Sequence, residues 1–246
     1  MVRYQILIEY EGTNFRGWQI QKKGLTIQGL IQEKLSQLLK EKIILNGSGR
    51  TDRGVHAIAQ SAHFDCSSKI IDLLKFLKSI NHFLNDKGIA ITKVKKRSNK
   101  FHSRFSAKQR IYKYIIFNQI SKPIIEKKRG WHIRKTLDLE LIKKGAKKLI
   151  GTNDYSTFRA SSCHAKSPIK TIKSIKIRSL RNKIEIEFIS QSFLQQQVRS
   201  MVGCLKYLGE KKWDLKTFNK VFKSKKRALC APPAPPEGLY LFRIIY

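Results

Sequence analysis

Hydrophobic positions along this chain fall into two alternating periods. Tyr4–Tyr10 is rich in β-branched and aromatic residues and reads as a strand. From Thr26 to Leu39 the apolar residues Ile27, Leu30, Ile31, Leu35 and Leu38 share one face of a helix. Lys42–Asn46 and Gln60–Asp65 read as strands on either side of a polar loop, Ile70–Leu84 as a second helix, and Gly88–Val94 as a closing strand. The second half repeats that order with longer loops. Arg110–Phe117 alternates as a strand and Leu139–Ile150 has a helical period. Thr171–Ser179 and Lys183–Ile189 form a hairpin around Arg181-Asn182, Phe193–Leu208 is a helix, and Leu239–Tyr246 is a last strand.

Element order therefore predicts an α+β protein of two ferredoxin-like βαββαβ halves. The first spans 1–98 and the second 99–246, divided where the basic stretch Lys96–Lys100 interrupts the pattern. The proline-rich segment APPAPPEG (231–238) is expected to run extended into the last strand.

Composition narrows the functional classes. Lys and Arg number 51 against 17 Asp and Glu, so the net charge is +34. A field of that sign favours a polyanion, most commonly nucleic acid. An A·T-rich genome would also inflate Lys, and charge alone does not separate DNA from RNA. Hydrophobic residues make up 41% of the chain, enough for a core. No apolar run reaches the roughly 20 residues of a membrane span, and the N-terminus lacks the pattern of a signal peptide. Cys66, Cys163, Cys204 and Cys230 are widely spaced without a CxxC pair. Packing in a reduced, cytoplasmic protein is thus expected, and no metal site.

Candidate chemistry sits in the loop Gly47-Ser48-Gly49-Arg50-Thr51-Asp52-Arg53-Gly54-Val55-His56-Ala57. Its glycines allow tight turns and close approach to a ligand. Its one carboxylate, Asp52, lies among Arg50, Arg53 and His56, and nearby cations favour an ionised carboxylate ready to act as nucleophile or base. A shorter Gly-x-Gly-Arg-x-Asp string would more often be a surface loop. The eleven-residue string, however, resembles the active-site motif of the TruA-type tRNA pseudouridine synthases.

Further matches follow in order along nearly the whole chain. Glu9–Gln19 (EYEGTNFRGWQ) resembles that family's N-terminal motif, Phe101–Ala107 (FHSRFSA) its F-H-A-R-F-S-A, and Tyr112-Lys113-Tyr114 its Y-x-Y strand. Gly151–Arg159, Gln197–Gly203 and Glu237–Leu241 resemble its later motifs. Glu11 stands where the family usually has Asp, and Gln195–Gln197 and Ser200 vary around Arg199.

The resemblance implies a fold, a reaction and residue roles. Two ferredoxin-like halves would join their sheets into one long antiparallel sheet with a basic active-site cleft between them. The activity would be isomerisation of uridine to pseudouridine at positions 38, 39 and 40 of the tRNA anticodon arm. It would proceed without metal or organic cofactor, in a homodimer. Asp52 aligns with the catalytic aspartate, Tyr112 with a tyrosine that stacks on the target base, Arg199 with an arginine that ion-pairs the aspartate, and Arg50 with one linked to base flipping. His102 and Arg104 are expected to support RNA binding.

A metal-dependent nuclease would need convergent carboxylates, which these motifs lack. A non-catalytic RNA-binding module on a ferredoxin-like sheet would have no use for a lone activated aspartate. If the charge is a binding face, tRNA affinity should fall steeply with salt, with a log–log slope of about −4 or steeper. A flat plot of dissociation constant against salt would make +34 a matter of composition alone.

Overall fold

Polar side-chain caps set where four of the five α-helices begin in the computed structural model, which describes residues 1–246. Contacts divide the chain into two compact units: Met1–Lys108 together with Tyr240–Tyr246, and Gln109–Leu239.

In the first unit the order is β1 (Val2–Tyr10), α1 (Ile27–Leu39), β2 (Asn46–Gly47), β3 (His56–Cys66), α2 (Leu73–Leu84) and β4 (Ile89–Arg97). β1 lies between β4 and β3, β2 pairs with β3, and all three pairings are antiparallel. This is the arrangement of a split βαβ unit. Helix α1 starts where the Thr26 hydroxyl accepts from the Gly29 amide at 3.3 Å. Helix α2 starts at Leu73 and not at Ile70, because the Asp72 carboxylate accepts from the Leu74 and Lys75 amides at 2.9 Å. The two helices bury Ile27, Ile31, Leu35, Phe76, Ile80 and Leu84.

The strand expected over Lys42–Asn46 shrinks to Asn46–Gly47. Helix α1 intercepts the backbone before it: the Ile43 amide donates to the Ser36 hydroxyl at 2.9 Å and the Leu45 amide to Gln32 Oε1 at 3.0 Å.

The second unit holds β5 (Gln109–Asn118), β6 (Trp131–Ile133), α3 (Leu139–Lys148), β7 (Gly151–Asp154), β8 (Ile169–Leu180), β9 (Lys183–Ser190), α4 (Gln197–Gly209) and α5 (Leu215–Lys223). β5, β9, β8 and β7 stand in that order with antiparallel pairing. The β8–β9 hairpin turns at Arg181, whose φ of 53° suits the turn. Helix α4 begins at Gln197, later than the expected Phe193, after Gln196 adopts a φ of 61°. Helix α5 and strands β6 and β7 are additions to the expected order. Tyr155, Phe158 and Phe222 cluster in this core, with ring centroids 5.5–6.3 Å apart.

The expectation of a purely antiparallel sheet is corrected: the pairing is mixed. β10 (Leu239–Ile245) runs parallel to β3, with Tyr240 opposite His56 and Leu241 opposite Ala57. β6 runs parallel to β5. Each reaches its neighbour by a return connection rather than a tight hairpin, and such connections permit the parallel direction. A 3-10 turn at Pro236–Gly238 also breaks the extended run expected before β10.

Residues 99–108 belong to the first compact unit for identifiable reasons. Arg3 forms a two-pronged pair with Asp65, at 2.8 and 2.7 Å, and donates from Nη1 to the carbonyls of Asn99 and Phe101 at 2.8 and 2.7 Å. Ser103 is fully buried; its amide donates to His63 Nδ1 at 3.2 Å and its hydroxyl to the Asn46 carbonyl at 2.6 Å. The Lys108 amide donates to the Ile245 carbonyl at 2.8 Å.

His63 makes this junction sensitive to pH. Burial first, then the nearby Arg3 and His102, push its imidazole down to about 4, against a weaker opposing pull from Asp65. The unfolded imidazole titrates near 6.5, so between these values the unfolded chain binds more protons. Stability from a neutral His63 is therefore complete above about pH 6.5 and is lost as pH falls toward about 4. His63→Asn keeps an acceptor for the Ser103 amide but does not titrate. Its urea midpoint should decline less than the wild-type midpoint between pH 6.5 and 4.5, and parallel curves would refute a neutral, buried His63.

Candidate active site

The loop between β2 and β3 is built from backbone groups that the N-terminal residues satisfy. At its start the Ser48 amide donates to the Ser61 carbonyl at 2.7 Å and the Ser48 hydroxyl to Gln60 Oε1 at 2.7 Å. Gln60 Nε2 in turn donates to the Gly49 carbonyl at 2.9 Å. At the crest, Thr51 shares a 2.8 Å hydrogen bond with the Tyr10 hydroxyl, and its carbonyl accepts from the Trp18 amide at 3.1 Å. The Val55 amide closes a turn on the Asp52 carbonyl at 3.1 Å, with Gly54 at φ 79°.

Two glycines permit the close approach. A Cβ on Gly12 would lie 2.0 Å from the Val55 carbonyl oxygen. Gly17, at φ 95°, would place one 2.6 Å from the Thr51 carbonyl oxygen.

This frame leaves Asp52 half-buried, between the exposed Arg50 and Arg53. His56 is a packing residue. Its Nδ1 accepts from the Gly12 amide at 3.1 Å, which places its ring proton on Nε2, and its ring stacks on Tyr240 at 4.9 Å. Trp18, 2% exposed, belongs to the core. Thr51, Tyr10 and Gln60 support the candidate loop, a role the sequence reading missed. Tyr10 and Gln60 lie in strand patterns, where nothing local distinguishes them from ordinary sheet residues.

His102 and Arg104 lie in a turn of the same unit. His102 Nδ1 accepts from the Arg104 amide at 3.1 Å, so this ring shapes the turn, while Arg104 is exposed. Burial, with Arg3 and Arg104 nearby, lowers the His102 imidazole below its usual range.

In the second unit, Tyr112 stands on β5 opposite Phe188 of β9 and is 8% exposed. Its ring meets Phe193 edge-on at 5.3 Å. Arg199 lies on the first turn of α4 and is held by the proline-rich segment. Its Nε donates to the Ala234 carbonyl at 2.8 Å, and the Ala234 amide donates to the Arg199 carbonyl at 2.9 Å. The segment expected to run extended into the last strand is thus also a clamp. Gln197 is buried with Oε1 accepting from the Leu194 amide at 2.8 Å, and Ser200 accepts from Arg227 at 2.8 Å.

No group of three or more His, Cys, Asp or Glu side chains is arranged to hold a metal ion, and no helix is long and apolar enough to cross a membrane. The arrangement around Asp52 offers one positioned carboxylate to a ligand that the exposed arginines would attract.

Comparison with known proteins gives a consistent result. A family model described as tRNA pseudouridine synthase matches residues 6–106 and 146–246. The chain is 72% identical over 246 residues, covering 100% of both chains, to the tRNA pseudouridine synthase A of Pelagibacter ubique (strain HTCC1062). Proteins of the same name from Parvibaculum lavamentivorans (strain DS-1 / DSM 13023 / NCIMB 13966) and Zymomonas mobilis subsp. mobilis (strain ATCC 31821 / ZM4 / CP4) are 38% and 39% identical, again over 100% of both chains.

The backbone frame around Asp52 is open to a direct measurement. Gly12→Ala should force the Val55 carbonyl away and speed hydrogen exchange at the Val55 amide by roughly tenfold or more, about 1.4 kcal/mol of local stability. Tyr10→Phe, which loses only a hydroxyl, should cost about 1 kcal/mol. Unchanged exchange in the alanine variant would show that the loop does not rest on this contact.

Proposed function

The chain belongs to the tRNA pseudouridine synthase family and is an isomerase of that activity; we propose that it acts on uridines 38, 39 and 40 of the anticodon arm, with Asp52 carrying the chemistry. The observation that carries this reading is the half-buried carboxylate on a loop whose backbone is pinned at Ser48, Thr51 and Val55. Such pinning is what a reacting group needs, because small displacements of that group are costly in rate.

The reaction breaks the bond from the uracil nitrogen to the sugar and makes one from a ring carbon to the same sugar atom. The displaced carbon-bound proton leaves, and the nitrogen regains one, so reactant and product are isomers. A carboxylate serves by attacking the sugar or by taking a sugar proton, and either route requires Asp52 ionised. Arg199 is proposed to supply the cation that keeps it so. Its clamping by Ala234 supports this role, since a guanidinium fixed through Nε presents its other nitrogens in a set direction.

Tyr112 is proposed to stack on the target base. Arg50, exposed beside Asp52, would hold the stem while the base leaves its stack. His102 and Arg104 would contact the same RNA, in a homodimer like that implied by the resemblance.

Mapping pseudouridine in tRNA incubated with the purified protein tests the positions directly: product at 38–40 is expected, and product elsewhere would refute them. Asp52→Asn should abolish turnover and leave tRNA affinity within about threefold, because affinity rests mainly on phosphate contacts. Arg199→Ala should lower turnover by roughly 10²–10³, the effect of leaving a desolvated charge uncompensated. Substantial turnover in the Asn protein would remove Asp52 from the mechanism.

A further inference from the structure

Large aromatic side chains in this protein are mostly buried, and Phe105 is the clear exception at 75% exposure. We propose that Phe105 is a stacking platform for a base of the RNA substrate, a role that rests on the reading of the chain as acting at the anticodon arm.

The ring is presented on a preorganised turn. His102 Nδ1 accepts from the Arg104 and Phe105 amides at 3.1 and 3.4 Å, the Ser106 amide donates to the His102 carbonyl at 2.9 Å, and the His102 amide donates to the Ser106 hydroxyl at 3.0 Å. Beneath the turn, Ser103 is locked by His63 and Asn46, and the Tyr246 hydroxyl reaches its carbonyl at 2.9 Å. A turn fixed at so many points holds Phe105 in solvent without help from its own burial. A platform already in place loses little conformational freedom when a base lands on it.

The surroundings choose the partner. The His102 ring lies 4.4 Å from the Phe105 ring at 34°, and the Arg104 guanidinium 5.5 Å from it, so the exposed ring extends a small aromatic and cationic shelf. Lys100, Arg104 and Lys108 are exposed around it, and no Asp or Glu occurs between Asp86 and Glu126. Just before the turn, Lys96, Arg97, Ser98, Lys100 and Phe101 line an open groove of about 670 Å³. Cations that follow a backbone, with an aromatic ring among them, are the pattern of a nucleic-acid contact. An apolar protein partner would leave these cations without counter-charges.

Position agrees with this role. Ser103 bonds to Asn46, six residues before Asp52. Even a fully extended chain of that length reaches only about 20 Å, and stacked bases are spaced about 3.4 Å apart. With the two residues from Ser103 to Phe105 and the hydrogen-bonded crossing added, the reach is about 35 Å, so a base on Phe105 lies within about ten stacked nucleotide steps of the one at Asp52. The platform would help to set which uridine reaches the carboxylate.

The test combines two variants with tRNA. Phe105→Ala should raise KM and the dissociation constant roughly 5- to 100-fold and leave kcat at saturating tRNA within about twofold. Phe105→Trp should keep affinity within about threefold, and its added indole emission, after subtraction of the wild-type signal, should be quenched by tRNA. Wild-type affinity in the Ala protein would overturn the proposal, as would added emission in the F105W protein that tRNA leaves unquenched. So would loss of self-association in the Ala protein with tRNA affinity intact, which would assign the ring to a second copy of the chain. If Phe105→Ala does not fold, the quenching experiment still decides. Failure of the functional reading is distinguishable, because it would show as no pseudouridine formed by the wild-type protein while Phe105→Ala still weakened RNA binding.

Discussion

The obligation to satisfy buried backbone groups governs the site more than any single side chain does. A loop that carries a carboxylate into a half-buried position brings peptide donors and acceptors with it, and each one left unpaired costs about 1–3 kcal/mol. The chain meets this cost by folding residues 10–18 against residues 51–56. The Trp18 amide takes the Thr51 carbonyl, the Gly12 amide takes His56 Nδ1, and Gly12 and Gly17 leave space for both strands of backbone. The N-terminal motif and the aspartate motif are therefore two sides of one structural element. Neither would hold its shape without the other.

A second junction follows the same logic. Arg3, Asp65, His63 and Ser103 bind the segment after β4 back onto the first sheet. Three consequences come from this one arrangement. The compact unit extends to Lys108, the 102–106 turn is rigid, and Asn46, where the aspartate loop begins, is tied to that turn. Arg3 also gains from its position: the Asp65 pair raises its guanidinium and lowers the Asp65 carboxyl. The pair is part-exposed, so its contribution is screened by water, and its two carbonyl contacts matter as much as its charge.

What was legible in the sequence was local. Thr26 and Asp138 cap helices where the pattern places them, and the aspartate motif is contiguous, so one string of residues pointed to the candidate loop. Departures arose where distant groups decide the outcome. Lys42–Asn46 reads as a strand, but Ser36 and Gln32 on the preceding helix take its amides. The direction of β10 depends on where the chain re-enters beside His56, and no periodicity encodes that. Helix α5 carried a readable signal that was not taken up, with Asp214 capping Thr217 and Phe218, Val221 and Phe222 on one face, in a short element of nine residues set among lysines. Tyr10 was invisible as a support for Thr51, since 41 positions separate them.

These constraints bear on the proposed division of labour between many cations and a single acid, Asp52. Attraction to a polyanion is tolerant of position: any of many lysines serves, and loss of one changes affinity modestly. Covalent or proton-transfer work has no such tolerance, because a carboxylate displaced by an ångström loses its geometry. On that proposal the groups held in fixed geometry are the pinned backbone at Thr51 and Val55, the clamp of Ala234 on Arg199, and the turn under Phe105. Most of the remaining charge lies on exposed side chains that need no fixed geometry. A proline-rich stretch is well suited to the clamp, since its backbone is stiff before it meets the helix. Holding Arg199 through both its Nε and its own carbonyl then costs little further order.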